Sequence, residues 1–133
     1  MKKLTVVVGL IAAMGLAYAA PDEAKLRASM KQIGPVCSGL GKKLKAKDAS
    51  GAADAKQLAG LFGDTQKYFK EAKADDGVAH SKTAIAEFKA TSKLIAAGKW
   101  DEADAGFKKA TASCGGCHSK HREKAADGSW KVK

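Results

Sequence analysis

Two cysteines and a histidine near the end of the chain have the spacing of a haem-attachment motif. Cys114 and Cys117 are three residues apart, and His118 follows the second thiol directly. Residues at positions i and i+3 of a helix lie on one side of it, one turn apart. The spacing Cys-x-x-Cys-His is that of c-type haem attachment, in which both thiols bind the porphyrin and the histidine binds its iron. The motif predicts one covalent haem c, held by Cys114 and Cys117, with His118 as the proximal axial ligand.

Two glycines, Gly115 and Gly116, separate the thiols. Each is a poor helix former, less favourable than alanine by about 1 kcal/mol. We expect these small residues to be tolerated because a flat ring must lie close to the backbone.

The same thiols allow three other interpretations. With Cys37 and one histidine they could form a tetrahedral zinc site. They could also form a redox dithiol, although that motif is typical of a βαβ setting, or a structural disulfide. We favour haem because a histidine adjoins the second thiol and because the chain begins with an export signal.

The export signal is predicted over residues 1–19. It has a basic start, an uncharged apolar run over 4–16, and small residues at Ala17 and Ala19 before the expected cut. The run is shorter than the roughly 20 residues of a spanning helix. We therefore expect cleavage after Ala19 and a periplasmic protein without a membrane anchor. Export agrees with haem attachment, because covalent haem c is assembled outside the cytoplasm.

The predicted mature chain, 20–133, has the length of one domain. Its formal charge is +8, because the full sequence carries +10 and removal of residues 1–19 takes Lys2 and Lys3 with it. A charge of this size favours acidic partners and speeds their encounter, so we expect an acidic redox partner protein. Nucleic acid is not an expected partner, because no basic and aromatic cluster or binding motif is present.

Lysines on the outer side of the last helix are candidates for steering such a partner. They are Lys108, Lys109, Lys120 and Lys124. No catalytic triad, phosphate-binding loop or carboxylate pair accompanies them, so we expect a carrier and not an enzyme.

Apolar residues recur at intervals of three and four, which predicts amphipathic helices. We expect four helices, over about 22–47, 52–74, 78–97 and 100–125. Short connections make sequential helices antiparallel, so the predicted fold is an all-α antiparallel four-helix bundle. We expect Pro35 to kink the first helix without dividing it. Residues 75–77 are predicted to be a turn, and 129–133 a short tail with Trp130 on the surface.

The thiols belong to the apolar stripe of the last helix. That stripe consists of Trp100, Ala103, Phe107, Ala110, Cys114, Cys117 and His121. Since this side of the helix faces the core, the haem is expected against the inside of the bundle, near the C-terminal helix.

The last helix resembles that of the class II cytochromes c, the cytochrome c′ family. The resemblance lies in residues 114–122, close to the C-terminus, and in Phe107, seven residues before the first thiol. Arg122 keeps the family's basic residue, whereas His121 replaces its usual aromatic one. In the first helix, Arg27 and residues 30–34 resemble the family's distal segment, with a spacing that differs by one residue.

The resemblance implies a bundle with haem inside one end, and a possible homodimer. It makes Met30 our first choice for the distal axial ligand and implies that Arg122 contacts a haem propionate or the proximal side. A thioether opposite an imidazole gives low-spin iron of raised potential, which suits an electron carrier. The alternative is that Met30 only packs, and that a five-coordinate iron binds nitric oxide or carbon monoxide.

Three further side chains have less defined roles. We expect Cys37 to be a small buried residue, and His80 to lie on the surface. His121 is expected near the proximal haem edge or a propionate. Either histidine is a less favoured alternative for the distal ligand.

Overall fold

The structure, a computed structural model, describes residues 20–133; the predicted signal peptide, 1–19, lies outside the described residues. Four α-helices and one short antiparallel strand pair make up this part of the chain. The elements are α1 (Glu23–Ala46), α2 (Gly51–Glu71), α3 (Asp75–Ala96), α4 (Trp100–His121), β1 (Arg122–Lys124) and β2 (Trp130–Val132). The prediction of an all-α chain with four helices is confirmed. Between residues 20 and 133 no helix is long and apolar enough to cross a membrane.

The ends of α1 follow from local chemistry. The Asp22 carboxylate accepts a hydrogen bond from the Lys25 N–H at 2.9 Å, which satisfies a free donor of the first turn. At the other end Lys47 adopts a left-handed φ of 53°, and its N–H donates to the Leu44 carbonyl. The helix continues through Pro35, so the prediction of one helix across the proline is confirmed.

The third helix begins earlier than predicted. Residues 75–77, predicted to be a turn, form the first turn of α3. The reversal falls instead at Lys73, whose φ is 55°. Asp75 and Asp76 then lie at a helix N-terminus, where the helix dipole favours negative charge.

The last helix ends earlier than predicted, at His121 instead of about residue 125. Arg122 is extended, with φ −132° and ψ 133°, and opens a hairpin. The tail predicted over 129–133 is therefore partly a strand. The paired residues are Arg122 with Val132, Glu123 with Lys131, and Lys124 with Trp130. We call residues 122–132 the C-terminal hairpin.

The hairpin turn uses Asp127 and Gly128. The Asp127 carboxylate accepts from both the N–H and the hydroxyl of Ser129, at 2.9 and 2.6 Å. Gly128 has a φ of 81°, a conformation that glycine adopts without steric cost. The Asp-Gly pair therefore closes the hairpin.

The core lies between the helices and is centred on Phe88. Its ring is fully buried and stacks on Phe62 with a centroid distance of 5.6 Å. Along the chain, α1 packs on α2, α2 on α3, and α3 on α4. The two outer elements of this series, α1 and α4, touch at few residues.

Gly77 offers a test of the packing between α2 and α3. It is buried, and a Cβ added there would overlap the ring of Phe69. We expect Gly77→Ala to lower the free energy of unfolding by about 1–3 kcal/mol, as overpacking does. Gly60 is the matched control, because a Cβ there meets nothing within 4 Å. Gly60→Ala should raise the free energy of unfolding by about 0.5–1 kcal/mol.

Urea denaturation of both variants measures these changes. Similar shifts of the unfolding midpoint in the two variants would show that the contact between Gly77 and Phe69 is not tight.

Candidate haem site

A cavity of about 670 Å³ separates α1 from α4, and the C-terminal hairpin borders it. We call it the large cavity. Its volume falls within the roughly 300–1,000 Å³ of typical cofactor and ligand sites. Its position explains why α1 and α4 make few contacts with each other.

All five predicted site residues line the large cavity. Cys114, Cys117 and His118 reach it from α4, Arg122 from the first strand of the hairpin, and Met30 from α1. The fold thus brings residues that are nearly 90 positions apart in the sequence to the lining of one cavity. The structure also brings Cys37 and His121 there, whereas His80 does not line this cavity.

A second, small cavity of about 20 Å³ lies beside the first. Met30, Cys114, Cys117 and His118 line both cavities, and His80 lines the small one. This volume suits about one water molecule. Of these two cavities, only the large one has room for a porphyrin.

The lining of the large cavity is apolar in its body and basic at its edge. Leu26, Ile33 and Phe69 contribute apolar surface. The charged side chains that line it are Arg27, Lys31, Arg122 and Lys131, with no aspartate or glutamate among the described lining residues. An apolar body with cations suits a large flat ligand that carries carboxylates, and haem with its two propionates is such a ligand.

The three thiols are protonated at neutral pH. Burial raises the pKa of Cys117 to about 11, and the charges of Asp76 and Cys114 add to the effect. Burial also raises the pKa of Cys114, whose S–H donates to the Ala110 carbonyl at 3.6 Å. For Cys37, burial and the nearby Cys114 raise the pKa to about 11.

Two kinds of metal site differ in what they require of the chain. A structural zinc site needs four protein ligands, whereas haem iron needs only one or two axial ones. In the described part of the chain no three His, Cys, Asp or Glu side chains gather as a metal-binding group.

His118 is half-buried and suited to bind a metal through a neutral ring. Burial lowers its pKa, and the positive charge of Arg122 lowers it further. At neutral pH the imidazole is therefore uncharged and keeps a free lone pair, which is the form that binds metals. The His118 carbonyl accepts the Arg122 N–H where α4 ends.

His80 was predicted to lie on the surface, and this prediction is wrong. The side chain is half-buried between α3 and α4, and its carbonyl accepts a hydrogen bond from the Ser113 hydroxyl at 3.2 Å. A Cβ on Gly116 would lie 2.7 Å from Cε1 of His80. The histidine ring therefore explains the small residue at position 116, whereas Gly115 has open space around it.

His121 packs at the edge of the large cavity. Its ring centroid lies 4.8 Å from that of Phe69, and its side chain is 17% exposed. Nε2 is 3.0 Å from Oδ1 of Asp76, although the approach lacks hydrogen-bond alignment. The contact is therefore an ion pair when the ring is protonated.

Asp76 gives the protein a predictable pH dependence. Burial alone raises its pKa, but the contacts with His121 and the Gly77 N–H, together with the Lys120 charge, hold it below the ordinary 3.8. A carboxylate whose pKa is lower in the folded protein than in the unfolded chain stabilises the fold at pH values above the unfolded-state pKa. This contribution is lost as the pH falls through the pKa of the folded state. We expect Asp76→Asn to unfold at lower urea than the parent at pH 7, with the difference shrinking below about pH 3.8.

Asp75→Asn is the control for this prediction, because Asp75 is an exposed neighbour in the same helical turn. An equal loss of stability in both variants would assign the effect to the helix dipole and not to the His121 contact.

Apart from Arg122, the sequence did not indicate the part of the site that the C-terminal hairpin supplies. Trp130 and Val132 line the large cavity, and the Arg27 guanidinium donates to the Trp130 carbonyl at 2.7 Å. These residues are about 100 positions apart, and three-residue strands carry too little alternation to be recognised. The only local signal was the Asp127-Gly128 pair, which favours turns.

Comparisons of the chain with protein-family models, curated proteins and solved structures found no match. The candidate site is therefore argued from its own residues and geometry. The resemblance of the last helix to class II cytochromes c remains a prediction.

Proposed function

We propose that the protein is a periplasmic monohaem c-type cytochrome that carries electrons. In this proposal the four helices form an antiparallel bundle, and one covalent haem c occupies the large cavity between α1 and α4. One observation supports it most strongly: the two thiols and the histidine of a haem-attachment motif line a single cavity with an apolar body and a basic edge.

The residues of the chain have separate roles in this proposal. Cys114 and Cys117 fix the ring through thioether bonds, and the neutral His118 ring binds the iron from the proximal side. Arg122 balances a propionate charge, and the apolar lining excludes water. When bound, haem supplies an iron that alternates between ferric and ferrous states, while the protein sets its surroundings.

Met30 is the proposed distal ligand. It lies on α1, across the large cavity from α4, and it is half-buried. A thioether ligand opposite an imidazole keeps the iron low-spin and raises its potential. Because such a centre rearranges little between oxidation states, it suits electron transfer.

A second candidate function is the binding of nitric oxide or carbon monoxide. Here Met30 only packs, and the iron keeps an open position. The small cavity of about 20 Å³, which Met30 and His118 also line, favours this candidate because it provides space for a small molecule.

One absorption spectrum of the mature protein separates these functions. Low-spin features with a methionine-to-ferric-iron charge-transfer band support the electron carrier. A high-spin spectrum that shifts with carbon monoxide supports the gas binder. A spectrum without a Soret band overturns both and leaves a zinc site, a dithiol or a disulfide.

A further inference from the structure

Trp130 lies at the mouth of the large cavity, where it meets both the cavity and solvent. It lines the cavity, and it is 46% exposed, the one exposed large hydrophobic side chain among residues 20–133. The Arg122 guanidinium carbon is 3.8 Å from the centroid of its ring, and Lys124 Nζ is 5.3 Å away. Both distances fall within the range of cation–π contacts. The indole is therefore held in place by two cations.

Carboxylates offset some of the positive charges around this mouth but not all of them. Lys131 binds Glu123 at 3.0 Å, and Arg27 binds Glu23 at 2.5 Å. Among the cations around this mouth, those without a carboxylate partner in the described residues are Lys31, Arg122 and Lys124. Together with Trp130 they form a basic surface with an aromatic centre, which we call the rim.

The outer face of α4, where we predicted steering lysines, is less suited to this role. Lys108 binds Asp104 at 2.6 Å, and Lys120 lies 3.7 Å from Asp76. Two of the four predicted lysines therefore have their charge offset. Lys124 was predicted on the last helix but lies in β1, and it is the one of the four that belongs to the rim.

We propose that the rim is the surface on which an acidic redox protein docks. Charge complementarity carries this proposal, because an acidic surface would pair with Lys31 and Lys124 while the exposed indole is buried at the centre of the contact. The inference rests on the proposed function, since it names the partner of that site. In the complex an acidic donor is oxidised by one electron and the cytochrome is reduced by one, with no bond made or broken.

The position of the rim also favours electron transfer. Its residues come from α1 and the C-terminal hairpin, and both elements border the large cavity. A partner docked there contacts Trp130, a side chain that is exposed to solvent and also lines the cavity.

The test measures reduction of the haem-loaded protein by photoreduced flavodoxin, an acidic flavoprotein used as the probe. We expect the second-order rate constant to fall on the order of tenfold at low ionic strength in Lys31→Gln/Lys124→Gln. We also expect the rate constant of the parent to fall as salt rises. The control, Lys42→Gln/Lys45→Gln, removes the same charge from exposed positions farther along α1 and should change the rate constant by less than about twofold.

Two results would overturn the proposal that an acidic protein docks on the rim. Equal slowing in both double variants would mean that only net charge matters, and a rate constant insensitive to salt would mean that no steering occurs. Haem content, measured first by mass, distinguishes these results from failure of the proposed function.

Protein prepared without haem would still test whether an acidic partner docks on the rim. In a Trp100→Phe variant, Trp130 is the remaining tryptophan, so its emission reports on this surface. A salt-sensitive change in emission on titration with polyglutamate supports acidic docking, and an unchanged emission overturns it.

Discussion

Replacing both Cys114 and Cys117 with alanine is expected to leave the protein with essentially no covalent haem. Thioether bonds need the two sulfurs, and no backbone or neighbouring group can replace them. Either single replacement should leave haem attached through one bond. Intact mass after denaturation and acid extraction measures this directly, because only covalently bound haem remains with the polypeptide.

Cys37 provides a matched control in the same chain. It lines the same large cavity and is buried enough for its pKa to rise to about 11, yet it lies outside the attachment motif. Cys37→Ala should keep the full amount of covalent haem. Retention of covalent haem in the double variant, or equal loss in Cys37→Ala, would contradict the assignment of the motif.

Replacing Met30 with alanine is expected to turn a low-spin spectrum into a high-spin one that responds to carbon monoxide. Removing the thioether opens the distal position of the iron. The potential should fall, within the roughly 0.8 V span over which axial ligands set haem potentials. Absorption spectroscopy of the ferric and ferrous protein and a redox titration measure both changes.

Met30→Leu separates ligation from packing. Leucine keeps nearly the volume of methionine, so the cost in stability should stay below about 1.5 kcal/mol. It has no sulfur, so the spectral change should match that of the alanine variant. An unchanged spectrum in Met30→Leu would exclude this ligand and favour the gas-binding alternative.

Much of the helical framework could be predicted from the sequence. Apolar residues three and four apart identified all four helices, and the phase of the stripe was continuous through Pro35. The residues at which helices begin and end were harder to predict. Asp-Asp-Gly is a common turn sequence, but at residues 75–77 the two carboxylates begin a helix, since the reversal occurs at Lys73.

The candidate site residues could be named from the sequence, but the side chains that surround them could not. The motif identified Cys114, Cys117 and His118 because their spacing is local. The roles of Trp130 and His80 depend on contacts between distant elements. Trp130 is placed by strand pairing and a hydrogen bond from Arg27, and His80 by packing on Gly116. No periodic pattern within one segment contains that information.

The mass of the mature protein, produced in a host that attaches haem c, tests the central claim most directly. The account predicts a coloured protein whose mass equals that of the polypeptide from residue 20 onward plus one haem, unchanged by denaturation. A colourless protein at the bare polypeptide mass would contradict it.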